Sequence, residues 1–260
     1  MDKTKFNKYS RVFPPNKNPE YYVKYARRLE KAGEPTDVMG SFLEKAMESF
    51  PNNVLLLRET LRYVERSGDE AQDPDTKETF YNHANRLYLS ALEKDESKLS
   101  PKEKLELLEL HHDAARFYSS FEGVDEQQVE NIFYLAIENN FEHVEKMLFA
   151  EKPIKVKDAR DEQTRMAAET LRLLGLFYKD QEGSIDNAFG LFQHLNKVFP
   201  FDQARIGSPS IQKELLAIKE IYQPSSDSDE NEDLMNVRIR ILSNLDGTTV
   251  PKEDAQHLTL

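Results

Sequence analysis

Cysteine and tryptophan are both missing from this 260-residue chain, and glycine is scarce, with 9 residues. Without cysteine, no disulfide, thiolate metal site or cysteine nucleophile can form. The scarcity of glycine, together with abundant Leu, Glu, Lys and Ala, favours helices over sheets. Hydrophobic residues make up 38% and charged residues 32% of the chain, so the composition predicts a water-soluble helical protein with a sizeable core.

Long apolar runs are also missing. No stretch approaches the roughly 18 apolar residues that a membrane-spanning helix needs. The start, from Met1 to Phe6, lacks the apolar segment of a secretory signal. We therefore expect no membrane insertion and a cytoplasmic location, with the nucleus as the alternative.

The charge of the chain is unevenly distributed. A formal net charge of −12 argues against general binding to nucleic acid, because such binding depends on cations that displace counterions from phosphates. Residues 1–31, however, hold nine Lys or Arg and four Tyr. A basic, tyrosine-containing segment suits RNA or an acidic membrane, but it is more typical of a solvated helix face beside core aromatics.

Patterns that carry catalysis are not found in the sequence. It contains no phosphate-binding glycine loop, no paired-histidine zinc helix and no glycine-flanked nucleophilic serine. His111 and His112 would point about 100° apart on a helix, so they are poorly placed to share a metal. Glu109 and His112 have a spacing seen in di-iron bundles, which need a second copy that this chain lacks. We expect no enzymatic activity, no catalytic residue, no metal site and no cofactor.

Four segments can be distinguished along the chain. Pro14-Pro15 and the residues around it predict an extended arm over 1–18. Helical periodicity then runs through 19–222, ending in a capping helix over 208–222. An acidic, serine-rich linker follows at 223–233, and a tail at 234–260.

The tail permits two interpretations. Apolar residues alternate with Arg between Asn236 and Leu242, which fits a short strand, while a helix over 234–245 fits as well. Ser225, Ser226 and Ser228 precede the run Ile239–Leu242, an order that resembles short motifs that add a strand to a small ubiquitin-like modifier. That motif is a second and weaker binding hypothesis.

Helical spacing recurs in four predicted helix pairs. The first helix of each pair has packing positions at i, i+4 and i+7, namely Tyr22/Ala26/Leu29, Leu57/Leu61/Val64, His111/Ala115/Tyr118 and Leu171/Gly175/Tyr178. The second helix repeats the spacing in Met39/Leu43/Ala46, Ala84/Tyr88/Ala91, Val129/Phe133/Ala136 and Ala188/Phe192/Leu195. Such recurrence is typical of a repeat array.

Three further predictions are a cap at Thr36 or Asp37, a loop over Arg66–Thr76 and an inserted helix over Glu142–Glu151.

One segment carries a family resemblance. Thr170–Asp202, with Leu171, Leu174-Gly175, Tyr178, Ala188, Phe192 and Pro200, resembles a tetratricopeptide repeat. The resemblance implies an all-α fold, a right-handed superhelical array of about four antiparallel helix pairs closed by a capping helix. It also implies a non-enzymatic scaffold or adaptor that binds a partner protein in a concave groove.

The resemblance has two departures. Leu195 stands where the family usually has alanine, and Ala46, Ala91 and Ala136 are 45 residues apart instead of 34. Longer units are similar to the half-a-tetratricopeptide repeats of RNA-processing proteins, so an RNA-processing or RNA-binding helical repeat is the alternative function. Those repeats carry tryptophans, which this chain lacks.

The resemblance also places a binding face on the first helix of each pair, one residue after a packing position. There it puts Val23, Leu176 and a row of basic residues: Arg27, Arg58, Arg62, His112, Arg116 and Arg172. The planar guanidinium matches carboxylates, so we predict an acidic or carboxylate-ended peptide as the partner. The alternative is that these arginines pair with Glu59 or Glu169 of the chain itself. The asparagines with which chaperone-binding relatives hold a terminal carboxylate do not occur at the matching places.

Overall fold

A computed structural model describes residues 17–121, 124–199, 211–222 and 230–247. These residues form helices joined by short connections, with no strand among them, so the predicted all-α class is confirmed. The chain divides after Leu110 into two compact units, called unit 1 and unit 2 below. The superhelical arrangement of the helix pairs stays a prediction.

Unit 1 begins with four helices and continues through a short 3-10 helix at Glu96–Lys98 into the first half of α5. The helices are α1 (Pro19–Lys31), α2 (Thr36–Ser49), α3 (Val54–Glu70), α4 (Pro74–Leu92) and α5 (Pro101–Ser119). Helix α3 packs against both α2 and α4, and α1 packs against α2 and α3. The core of unit 1 is therefore formed by consecutive helices that lie side by side.

Unit 2 contains the second half of α5 and the remaining helices. These are α6 (Glu126–Glu138), α7 (Phe141–Leu148), α8 (Val156–Ala159), α9 (Glu162–Asp180), α10 (Ile185–Val198), α11 (Ile211–Ile221) and α12 (Glu230–Gly247). Helix α9 packs against α10, α7 and α6, and α10 also packs against α11 and α12. Helices α9 and α10 are thus the centre of this unit.

The predicted packing positions form the core of both units. Every residue of the eight spaced triplets is buried except Leu29, which is half-buried. Burial of such positions at about 25 cal/mol per Å² of apolar surface is the main stabilisation of each helix pair. The sequence periodicity therefore identified the core correctly, with His111 at 3% exposure as its one polar member.

Two local predictions in unit 1 are wrong. Residues 66–70 continue helix α3 instead of forming a loop, and the connection to α4 is only Ala71 to Asp73. Gly68 is tolerated in this helix because a Cβ there would lie 2.8 Å from the Tyr81 ring, so the helices need its small size. The N-cap of α2 is Pro35, which has no side chain that can accept a hydrogen bond, and Thr36 lies inside the helix, where its hydroxyl donates to Glu70 (2.7 Å).

The carboxyl-terminal part of unit 2 resolves the open choice for the tail in favour of a helix. Helix α12 starts at Glu230, within the predicted linker, and includes the run Ile239–Leu242 that was a candidate for strand addition. Helix α11 lies within the predicted capping helix over 208–222, and α7 corresponds to the predicted insertion over Glu142–Glu151. Residues 1–16 of the predicted arm, 208–210 and 223–229 lie outside the described residues.

Candidate binding surfaces

The predicted binding residues of unit 1 lie in a lattice of ion pairs. Arg27 on α1 donates from Nε and Nη2 to the two carboxylate oxygens of Glu59 on α3, each at 2.8 Å. The Glu59 side chain is only 6% exposed, whereas that of Arg27 is 53% exposed. The hydrogen bond to Glu59 raises the pKa of Arg27. This guanidinium is therefore accessible on one side and bound to a buried carboxylate on the other.

The lattice extends along α3. Arg62 donates to Glu59 (3.1 Å) and to Glu30 (3.1 Å), so it joins α3 to α1. Arg66 donates to Glu30 (2.8 Å) and to Glu70 (2.8 Å). The hydroxyl of Tyr63 donates to Glu30 at 3.0 Å, and burial together with this bond raises the pKa of Tyr63. Each cation of the lattice has a carboxylate partner within unit 1.

Arg58 is paired in the same manner. Its Nη1 donates to Glu106 (3.2 Å) and also to Glu109, both on α5. The pairing with glutamate that was the alternative interpretation is thus present, with Glu59 among the partners. An acidic peptide would have to compete with these internal carboxylates for the arginines of unit 1.

The predicted residues of unit 2 differ in their accessibility. His112 is buried, and its Nε2 lies 2.8 Å from the Thr170 hydroxyl. Arg172 is only 6% exposed and donates twice to Glu169 one turn earlier, each bond measuring 2.9 Å. The Arg116 side chain is 60% exposed and is paired with Asp113. Of these three residues, only Arg116 has a solvent-exposed side chain.

Arg116 stands at the rim of an apolar cleft in unit 2, which we call the unit 2 cleft. The cleft has a volume of about 510 Å³ and lies between the end of α5, the start of α6 and the second half of α9. Its apolar lining includes Phe121, Val124, Val129, Phe133, Leu176 and Phe177. Glu126 and Asp180 line it beside Arg116, so the charged groups on its border are two acidic and one basic.

The cleft has a packed floor and more open walls. Val129 and Phe133 are 2% and 3% exposed, and the Phe133 ring lies 5.6 Å from that of Phe177. Phe121, Val124, Leu176 and Phe177 are only half-buried. Half-buried apolar side chains around a concavity are typical of binding sites, whose lining is mostly apolar with a few polar groups.

Sequence reasoning identified part of this cleft. It placed Arg116 and Leu176 on a groove, and both line the cleft. It missed Phe121 and Phe177, because neither belongs to the packing pattern: Phe177 precedes the packing residue Tyr178, and Phe121 lies three residues after Tyr118. For Phe177 the sequence signal was the aromatic pair Phe177-Tyr178, whose two members must face different sides of a helix.

Unit 1 contains another hollow, of about 600 Å³, next to the connections after α2 and α4. Its polar lining residues already make hydrogen bonds and an ion pair within unit 1. Asn53 caps α3 through the Leu56 amide, and Glu103 accepts from both the amide and the hydroxyl of Ser100. Asp95 caps the 3-10 helix and pairs with Lys98 (2.8 Å). Because these groups hold helix ends, the hollow is a weaker candidate than the unit 2 cleft.

Within the described ranges, no three histidine or carboxylate side chains converge in a way that would hold a metal ion. Among the helices of those ranges, none combines the length and apolarity that crossing a membrane requires. No protein-family model, no curated protein and no solved structure matches this chain.

Proposed function

We propose that this protein is a non-enzymatic interaction scaffold that binds a peptide segment of a partner protein in the unit 2 cleft. The observation that carries the proposal is the set of half-buried apolar side chains, Phe121, Leu176 and Phe177, around a preformed concavity. A preformed site avoids part of the entropy cost of ordering a binding surface. The resemblance to tetratricopeptide repeats, which bind peptides on the first helices of their pairs, supports the same conclusion.

The border of the cleft indicates the chemistry of the partner segment. Glu126 and Asp180 outnumber Arg116, and Arg116 is itself paired with Asp113. The cleft therefore fits a segment with one or two large apolar side chains flanked by a basic residue better than it fits an acidic segment. The proposed contact is therefore the apolar cleft, with Arg116 at its border, and not the row of arginines.

A selection of random peptides displayed on phage, against the full chain, tests the proposal. Selected peptides should share apolar residues, and Leu176→Glu should weaken their binding about tenfold or more, because it places a charge against buried apolar surface. Leu216→Glu is the matched control, since Leu216 is 58% exposed on α11 and does not line the cleft. Equal binding to both variants, or no enrichment of apolar peptides, would contradict the proposal.

A further inference from the structure

A buried carboxylate in unit 2 is held by residues from three helices. Glu130 on α6 is 1% exposed and accepts hydrogen bonds from the hydroxyls of Tyr134 (2.5 Å) and Tyr178 (2.6 Å). Its third partner is Arg240 of α12, whose Nη2 lies 2.5 Å from Oε2. The Arg240 guanidinium also lies 5.3 Å from the centre of the Tyr178 ring. A buried carboxylate with two tyrosine donors therefore obtains its counter-charge from the carboxyl-terminal helix.

A second arginine of α12 binds elsewhere on unit 2. Arg238 donates from Nε (3.0 Å) and Nη2 (2.5 Å) to the carbonyl oxygen of Leu148, the last residue of α7. Carbonyl groups in the last turn of a helix have no partner within the helix and carry its partial negative charge. The guanidinium also lies 4.9 Å from the centre of the Phe149 ring. Both arginines of α12 thus meet preformed negative groups.

An apolar stripe lies between the two arginines. Leu234, Val237 and Ile241 are buried at i, i+3 and i+7. Since successive residues turn by about 100°, Arg238 and Arg240 leave the helix on opposite sides of this stripe. The other face of α12 is open, with Met235 49% and Ile239 54% exposed. Contact is therefore one-sided, as for a helix seated on a surface.

The helices meet at backbone distance at one point. A Cβ on Gly190 of α10 would lie 2.7 Å from the backbone nitrogen of Leu234 and 2.8 Å from the carbonyl carbon of Asp233. Real Cβ atoms do not approach backbone so closely, so α12 can sit at this place only because residue 190 is glycine. The surface beneath α12 therefore accommodates a helix backbone at Gly190, and it presents negative groups to arginine side chains at Glu130 and the Leu148 carbonyl.

We infer that the surface formed by Glu130, Tyr134, Tyr178, Gly190 and the Leu148 carbonyl is a receptor site for an amphipathic helix of a partner protein that carries Arg-x-Arg within an aliphatic stripe. Helix α12 is the occupant supplied by the chain itself. Arginine fits better than lysine, because the planar guanidinium binds a carboxylate while stacking on a ring. The site selects for a cation because a buried carboxylate without one is strongly unfavourable. It uses different residues from the unit 2 cleft, so it does not depend on the function proposed there.

The test uses the full chain and a fluorescein-labelled peptide with the sequence of residues 230–247. In the wild-type protein, α12 competes with the peptide at the high effective concentration of a tethered segment. The double variant Arg238→Gln with Arg240→Gln weakens α12 and leaves the receptor residues unchanged. We expect fluorescence anisotropy to show at least about tenfold tighter peptide binding to this variant than to the wild type, since charge-assisted bonds are the stronger ones.

A steric variant locates the bound peptide. Gly190→Ala, added to the double variant, should abolish peptide binding because the new methyl occupies the place of the peptide backbone. Gly40→Ala is the matched control in the same background. It also lies within a helix and is buried, but its Cβ would find its nearest neighbour at 3.8 Å, so binding should persist.

Thermal unfolding and amide hydrogen exchange of the double variant separate the inference from a purely structural role of α12. We expect α12 amides to lose protection while α9 and α10 keep theirs. Three results would overturn the inference: no tighter binding of the peptide to the double variant, equal binding with and without Gly190→Ala, or loss of protection throughout unit 2.

Discussion

A Cβ atom on Gly175 of α9 would lie 2.8 Å from the Phe192 ring of α10, so these two helices meet where no methyl group fits. We expect Gly175→Ala to destabilise the protein. Overpacking a core costs about 1–3 kcal/mol, which exceeds the gain of about 0.5–1 kcal/mol that alanine brings to a helix. Chemical denaturation, read as the free energy of unfolding, measures the difference.

Gly40→Ala is the matched control for this prediction. Gly40 is buried within α2, but its nearest atoms would be Tyr63 Cβ at 3.8 Å and Val64 Cγ2 at 4.0 Å, which is ordinary contact. We expect it to be neutral or stabilising by up to about 1 kcal/mol, because only the helix-propensity gain applies. If both variants changed stability equally, the close contact at Gly175 would not be what limits packing.

The pair Gly175 and Phe192 also shows how much of the core can be predicted from the helical period of the apolar residues. Both residues belong to triplets found from spacing alone. Every other residue of the eight triplets is buried too, except Leu29, which is half-buried. Helical period determines which side of a helix is apolar, and burial of that side follows from the hydrophobic effect. The core was therefore predictable without knowledge of the tertiary structure.

The candidate sites were less predictable, because they depend on which helix lies beside a given face. Arg58 and Arg172 occupy equivalent positions in the pattern, one residue after the first packing position, yet the Arg58 side chain is 36% exposed and Arg172 is buried. Arg240 is 110 residues from its partner Glu130, a distance that local patterns do not encode. The loop over Arg66–Thr76 failed as a prediction because polar residues and Gly68 suggested a turn, whereas contact with Tyr81 favours a helix.

The pair Arg27 and Glu59 should be coupled in stability. A double-mutant cycle with Arg27→Gln and Glu59→Gln isolates the interaction. We expect a coupling of about 1 kcal/mol, below the roughly 1.5–3 kcal/mol of hydrogen bonds to charged groups, because Arg27 is half exposed and water screens it. The exposed pair Asp95 and Lys98 is the control and should show no measurable coupling. Equal coupling in the two cycles would mean that burial of Glu59 adds nothing.

Two buried histidines should make the protein sensitive to mild acid. Burial lowers the pKa of His111 to about 4, and it also lowers the pKa of His194, whose Nε2 lies 2.9 Å from the Met147 carbonyl oxygen. The unfolded chain, with a histidine pKa near 6.5, then binds more protons than the folded chain, so stability is lost as the pH falls from about 6.5 towards 4. Each histidine can contribute a slope of up to about 1.4 kcal/mol per pH unit.

Urea denaturation at several pH values between 5 and 7 measures this slope. The variant His111→Gln carries no titratable group at that position, so its stability should depend less steeply on pH than that of the wild type. The carboxylates with lowered pKa, such as Asp161 and Glu103, would contribute only at more acidic pH. A slope identical to the wild type would show that His111 does not titrate differently in the folded and unfolded states.

Arg172 should contribute to the free energy of unfolding, whereas Arg116 should contribute little to it. Arg172 Nη1 is buried without a hydrogen-bond partner among the described residues, and its other two donors serve Glu169. We expect Arg172→Met to lose about 3 kcal/mol by breaking the largely buried ion pair with Glu169. The double variant with Glu169→Met should regain most of this loss, because apolar residues often replace such pairs at little cost. Arg116→Ala should change the free energy of unfolding by less than about 0.5 kcal/mol, since its side chain is 60% exposed. A double variant as unstable as Arg172→Met alone would show that the fold requires packing of the arginine stem there, and not the ion pair with Glu169.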